Sequence, residues 1–268
     1  MSKQAERENY IMKMLIASGR VTISEVVSTL NVSEATVRRT FVEMERDGKV
    51  IRNYGGIIPA KTLPEYRFDH NSSTHSHQKT IIGQLAAQLV EDNDTVFLDC
   101  GTTVFYMALA LSERLNRHEL LSINIVTNSI PNLQAITPNL TSNVVLLGGT
   151  YNGVRQDFSG PLTESYLEPF HFTKCFLGTD GLSAEGGFFS TQVSQSRLIQ
   201  KVMRRSAQTY ILMENGKFAR QAFISYAMPS DVSGVITEAT PSEQQMELLR
   251  GASLRLYTPE HADGLPVD

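Results

Sequence analysis

Apolar residues recur along the first sixty positions with two different periods. Over 5–18 the spacing of Tyr10 or Ile11, Met14 and Leu15 predicts a helix, ended by Gly19. Ile23, Val26, Val27 and Leu30 predict a second helix, with Thr22 as its cap. Past Asn31-Val32, Ser33 stands where an N-cap oxygen would hold the first free amides of a third helix. That helix turns Val37, Phe41 and Met44 inward at i, i+4, i+7. Asp47-Gly48 closes it. The period then shortens to two at Lys49–Arg52, a short strand, and Tyr54-Gly55-Gly56 makes a tight turn. Helix, helix, helix and basic hairpin predict a winged helix-turn-helix over 1–58.

Beyond it, 59–78 is polar, holds two prolines and keeps no period, and reads as a partly ordered linker, since its Tyr66 and Phe68 could dock on a neighbour. From 79 to 260 short apolar strands alternate with helical patterns. Helices are expected over Lys79–Glu91, Val104–Leu115, Ile130–Ile136, Pro161–Glu168, Val193–Ala207 and Ser242–Arg250. Strands are expected at Thr95–Asp99, Ser122–Thr127, Asn143–Leu147, Lys174–Leu177, Gln208–Met213, Gly234–Thr237 and Leu254–Tyr257. Such alternation predicts an α/β domain with a mainly parallel sheet. The tail 261–268 reads as frayed.

The polar side of the third helix offers Ser33, Thr36, Arg38 and Arg39. Basic and hydroxyl groups at the exposed N-terminal end of a helix held by its apolar face suit a DNA major groove. The plainer alternative is a helical hairpin with a solvated basic face. In the larger domain, small and polar residues follow five strands. They are Asp99-Cys100-Gly101-Thr102-Thr103, Asn128-Ser129, Gly148-Gly149, Gly178-Thr179-Asp180-Gly181 and Glu214-Asn215-Gly216-Lys217. Turns favour these residues anyway. Five clusters at equivalent strand ends nevertheless point to one polar pocket, the place where open α/β sheets bind ligands. Helix amides, two hydroxyls and Lys217 favour an anion such as phosphate. Asp99 and Asp180 can accept hydrogen bonds from sugar hydroxyls.

Composition narrows the reading. The 268 residues are 41% hydrophobic and 19% charged, enough for one small and one medium domain. No apolar run approaches the roughly 20 residues of a membrane span, and MSKQAEREN lacks a signal-peptide core, so a cytoplasmic protein is expected. Cys100 and Cys175 offer no disulfide framework or metal spacing and read as buried thiols. His70, His75 and His77 could bind a metal, but a solvated linker reads better, and no metal or cofactor is assigned. Net charge is −4, yet residues 1–60 hold nine Lys and Arg against seven Asp and Glu, and the acidic surplus falls on the remainder. So small a positive surplus implies modest phosphate neutralisation, and hence an oligomer bringing several modules to one DNA, even-numbered if half-sites are paired.

SEATVRR followed by GKVIRNYGG closely resembles the DNA-binding end of DeoR-type bacterial transcriptional regulators. LDCGTT, IVTNS, LLGG, FLGTDG and ENGKF resemble the motifs of their effector domain. The resemblance spans about residues 5 to 240. It implies a regulator, expected to repress carbohydrate catabolic genes, that binds double-stranded operator DNA and senses a phosphorylated sugar through a domain folded like sugar-phosphate isomerases. The DNA-contact candidates are Thr22, Ser33, Glu34, Thr36, Arg38, Arg39, Arg52 and Tyr54. The effector candidates are Asp99, Gly101, Thr102, Thr103, Asn128, Ser129, Gly149, Asp180 and Lys217. Departures from the family pattern are Thr40 for an aspartate, Glu214 and Gly216 in D-x-S-K-F, and Ser196 and Gln200 where an acid and a lysine are usual. The first questions a local contact and with it operator preference. The others suggest an altered effector or weaker phosphate dependence. Two other functions fit the residues less well: an isomerase-like enzyme using Asp99, Asp180 or Lys217, for which no base has a recognisable orienting partner, and a non-specific architectural DNA binder.

Overall fold

The computed structural model describes residues 3–18, 20–47, 49–59, 68–136 and 143–267. Gly19, Gly48 and Tyr66, to which the sequence reading gave roles, lie outside them. The chain divides into two compact units, Met1–Tyr66 and Arg67–Asp268.

In the first unit, α1 (Lys3–Ser18) is followed by β1 (Val21–Thr22), α2 (Ile23–Leu30) and α3 (Glu34–Arg46). A hairpin of β2 (Val50–Asn53) and β3 (Gly56–Pro59) completes it, in the sheet order β1-β3-β2. Both expected caps form. Thr22 makes a capping box with Glu25, and Ser33 accepts from the Thr36 amide. Ile11 and Leu15 of α1, Val26 of α2 and Val37, Phe41 and Met44 of α3 close a small core with Val21, Val50 and Ile57. The i, i+4, i+7 face of α3 is the face that is buried.

The second unit begins earlier than the sequence pattern suggested. Residues 68–78, read as linker, form α4 (Phe68–Ser73) and the start of α5 (Ser76–Gln88). The reason is tertiary: the Phe68 ring meets Phe105 edge-on at 5.4 Å, and its amide donates to the Val154 carbonyl. The order continues β4 (Thr95–Leu98), α6 (Thr102–Asn116), β5 (Asn124–Thr127), α7 (Ile130–Ile136), β6 (Asn143–Leu146), β7 (Thr150–Asn152), β8 (Asp157–Ser159) and α8 (Pro161–Tyr166). It ends with β9 (Phe172–Gly178), β10 (Gly181–Ser183), β11 (Gly187–Ser190), α9 (Val193–Met203), β12 (Ser206–Leu212), β13 (Ile224–Ala227), β14 (Gly234–Ile236), α10 (Glu243–Met246), β15 (Leu254–Thr258) and β16 (His261–Val267).

Eight strands form one sheet in the order β16-β15-β14-β12-β9-β4-β5-β6, parallel throughout except for β15 with β16. Successive residues go to opposite faces, as the pleat requires. Phe97, Leu177 and Ile211 enter a core shared with Leu198 and Val202 of α9. Val96, Leu98, Phe176 and Leu212 enter another with Ile82, Val104 and Met107 of α5 and α6. The tail expected to fray is instead β16, held because Leu254 pairs with Val267, which is buried. The β7–β8 hairpin and the small β10-β11-β13 sheet lacked a sequence signal, since each strand has only three or four residues.

Helices α5 and α6 cross at Gly83, where an added Cβ would lie 2.6 Å from the Tyr106 backbone. Gly83→Ala therefore trades a helix-propensity gain of about 1 kcal/mol against overpacking of about 1–3 kcal/mol. Urea unfolding should show net destabilisation; a stabilised variant would mean that the helices part without cost.

Candidate functional site

On the first unit the exposed candidates cluster along α3 and the wing. Ser33 and Thr36 exchange a hydroxyl hydrogen bond of 2.8 Å at the α3 N-terminus. Arg38 is exposed and paired with Glu34 one turn back at 2.5 Å. Arg39 is exposed and makes no ion pair among the described residues. Arg52 is tied to Glu45 at 2.6 Å, and its own amide also donates to that carboxylate, which holds the Glu45 carboxyl below the usual range. Arg38, Arg52, Phe41 and the wing residues Asn53 and Gly55 line one groove. Tyr54 is fully exposed at the wing tip, its carbonyl held by Arg20 at 3.0 Å. Thr22 is engaged locally as a cap, which also holds Glu25 low.

The local contact questioned at Thr40 is one to α1. Thr40 is 1% exposed and faces the Arg7 guanidinium at 3.4 Å, its hydroxyl donating to the Thr36 carbonyl. The position that departs from the family pattern packs on α1 and lies off the exposed face, so the contact that changes there is a local one.

In the second unit, the carboxyl ends of β4, β5, β9 and β12 lie at one edge of the sheet, as parallel pairing requires. Asp99, just past β4, is 3% exposed. It accepts from the Gly178 amide at 3.0 Å and from Gln195 Nε2. Burial pushes its carboxyl up to about 6, against the pull of the Gly178 and Cys100 amides and the Arg155 charge. Gly101 caps α6 with no side-chain acceptor for the helix's first amides, and Thr102 and Thr103 are buried in its first turn. Asn128 and Ser129 are fully buried. Asn128 donates to the Phe158 carbonyl at 2.9 Å, and Ser129 accepts from the Asn132 amide at 3.3 Å.

Asp180 is half-buried and accepts the Thr191 amide and hydroxyl at 2.7 and 2.9 Å, locking its own turn. Lys217 Nζ donates to the Thr179 carbonyl at 2.8 Å and lies 3.9 Å from Glu214. Gly149 follows β6 at φ +147, where a Cβ would collide with the Thr163 hydroxyl, so its identity is set by packing against α8. Contacts thus link Asp99, the Gly178–Asp180 turn and Lys217, and join Asp99 through Asn132 to the Thr127–Ser129 turn. Gly149 stands apart from that network among the described contacts.

Several residues at this edge carried no sequence signal. Asn132 and Gln195 are uncharged and acquire meaning only by reaching Asp99. Arg155 and Asp157 form a buried ion pair at 3.1 Å beside Cys100; their i, i+2 spacing was the one available hint. Glu214, expected in an open loop without an orienting partner, is 8% exposed. His75 Nδ1 meets it at 2.6 Å, and Lys79 lies at 3.8 Å. Burial pushes both Lys79 and Lys217 down while Glu214 pulls each up. One carboxylate thus serves two lysines. Of the departures suspected here, Ser196 is buried and Gln200 donates to the Tyr226 carbonyl, while their neighbour Gln195 is the side chain that touches Asp99.

Family models match both units: the DeoR-like helix-turn-helix domain over residues 7–62 and the DeoR C terminal sensor domain over residues 74–239. The chain belongs to the DeoR family. This DeoR-family chain is a DNA-binding transcriptional regulator with a sensor domain. It is 32% identical over 252 residues to the lactose phosphotransferase system repressor of Streptococcus mutans, covering 92% of this chain and 96% of that one. It is 28% identical over 244 residues to the protein of the same name in Staphylococcus aureus, covering 89% and 94%. Among solved structures, ribose 5-phosphate isomerase A of Methanocaldococcus jannaschii aligns with a TM-score of 0.41 at 15% identity, over 55% of this chain and 56% of that one.

Asp99 generates a pH prediction. Its folded pKa lies above its unfolded value, so the folded state binds the extra proton and stability falls as pH rises from about 4 to about 6. A shift of roughly two units corresponds to about 3 kcal/mol. Denaturant titrations of wild type and Asp99→Asn should show the wild type losing ground to the variant by up to that amount across this window, and by no more above it. A constant difference would mean that Asp99 is not desolvated.

Proposed function

We propose that this DeoR-family regulator is a repressor of carbohydrate-uptake genes, relieved by a phosphorylated sugar bound at the carboxyl edge of the sensor sheet. The observation that carries the reading is the joint position of an anion-seeking end and a hydroxyl-seeking end. Lys217 and the uncapped N-terminus of α6, with Thr102 and Thr103, favour a phosphate. Asp99 and Asp180, with Gly101, Asn128 and Ser129, complete the proposed effector set, and Gly149 joins it only by its place after β6. The names of the two lactose phosphotransferase repressors support a carbohydrate regulon. On the DNA side, Ser33, Thr36, Arg38, Arg39, Arg52 and Tyr54 contact the operator, and Thr22 and Glu34 orient that surface. The regulator acts in the cytoplasm as an even-numbered oligomer that matches paired half-sites, and it turns over no substrate.

Binding of full-length protein to an operator duplex selected from a random pool tests the DNA half by fluorescence anisotropy. Arg39→Ala should weaken binding about five-fold to 150-fold, the worth of roughly 1–3 kcal/mol for a lost base contact. Unchanged affinity would remove α3 from the interface. In the same assay hexose 6-phosphates, added one at a time, should include one that shifts operator affinity by a coupling of about 1–3 kcal/mol. The operator must weaken that sugar phosphate by the same factor. A panel in which none shifts operator binding would overturn the effector half.

A further inference from the structure

Three buried side-chain amides at the sheet edge have orientations settled by their partners. Gln195 Nε2 donates to the Asp99 carboxylate. Asn132 Nδ2 donates to the Asp99 carbonyl at 2.8 Å and to Thr127 Oγ1 at 3.2 Å. Asn128 Nδ2 donates to the Phe158 carbonyl at 2.9 Å. Carboxylate and main-chain carbonyl oxygens only accept, so each amide must present its NH2 to them and turn its own oxygen away. Reversing any of the three would set oxygen against oxygen.

All three residues are 3% exposed or less, and among the described residues no donor reaches Asn128 Oδ1, Asn132 Oδ1 or Gln195 Oε1. Folded proteins rarely leave buried acceptors without donors. Two of the three amides are tethered to Asp99 itself, and the third sits in the same β5–α7 turn that Asn132 braces. With the Asp99 carboxylate they add buried acceptors beside the ends of β4 and β5.

We propose that the amide oxygens of Gln195, Asn132 and Asn128, together with Asp99, are the specificity-determining contacts of the effector site and read the hydroxyl donors of a sugar or polyol. The proposal rests on the sugar-phosphate reading and deepens it. The anionic end of the ligand goes to Lys217 and the α6 amides, and the hydroxylated end goes to the amide oxygens. A ligand group that only accepts, such as a carboxylate, is disfavoured there because the amide oxygens and the Asp99 carboxylate offer it no donor. A ligand lacking one of the hydroxyls strands a buried carbonyl, and so binds more weakly.

Calorimetric titration of the full-length protein tests this with glucose, galactose and fructose 6-phosphates, their monodeoxy counterparts, sorbitol and galactitol, and inorganic phosphate. Wild type should bind one parent sugar phosphate at least about ten-fold more tightly than one of its deoxy counterparts. Gln195→Leu should bring that ratio toward one while leaving competition by inorganic phosphate in place. Equal affinities for parent and every deoxy counterpart, measured on wild type and so independent of any variant's folding, would overturn the proposal and leave the sugar-phosphate reading standing; water then satisfies the amide oxygens. A well-folded Gln195→Leu with an unchanged ratio would remove Gln195 from the set and overturn the proposal as stated. Binding of the hexitols as tight as that of the phosphates would uphold the amide contacts and overturn the phosphate end. Silence from every probe would overturn both.

Discussion

Burial of the parallel sheet on both faces is the constraint from which the sensor domain follows. The inner strands must send apolar side chains both ways, so Phe97 and Val96 enter opposite cores, as do Leu177 and Phe176. Polar groups are left with the strand ends. Parallel pairing then brings all the carboxyl ends to one edge. Residues as distant in sequence as Asp99, Asn128, Asp180 and Glu214 meet there because the interior has no room for them. The same constraint desolvates what it gathers, which is why the Asp99 carboxyl titrates near 6 rather than in its ordinary range.

Charge at that edge is shared rather than stockpiled. Glu214 stands within 4 Å of Lys79, Lys217 and His75 at once. Its reach to His75 and Lys79 ties the end of β12 to the first turn of α5. An anion arriving at Lys217 therefore meets a cation already partly answered, and gains less than it would from an isolated lysine. The Arg155–Asp157 pair beside Cys100 works in the same way, each buried charge balanced by its neighbour. On the proposed reading, the uncharged amides are then left to discriminate between ligands of equal charge.

The DNA-binding unit shows a simpler division. Its core takes one face of each helix, and what is left of α3 is a short exposed stripe of hydroxyls and arginines. Arg38 and Arg52 are held in place by Glu34 and Glu45. Exposed pairs of this kind contribute little stability, so their value lies in presenting the guanidinium groups in a defined direction. The positive surplus of residues 1–60 is small, so phosphate neutralisation by one such module is modest.

How much could be read from the chain alone depended on whether the signal was local. The caps at Thr22 and Ser33, the buried face of α3 and most sheet strands were legible, because hydrogen bonds and periodicity within a few residues specify them. So were the strand-end positions of Asp99, Thr102, Asn128, Asp180 and Lys217. What lay hidden was whatever depends on contact at long separation. Phe68 folds into α4 because Phe105, far along the chain, receives it, and His261–Val267 is a strand because β15 lies beside it. Gln195 and Asn132 are ordinary polar residues in helical patterns until tertiary packing sets them against Asp99. The sequence by itself determined the family and the strand ends at which the polar clusters fall. Tertiary structure decided which neutral side chains lie beside those ends and which way their oxygens point, because an amide's orientation is fixed only by the partner it meets.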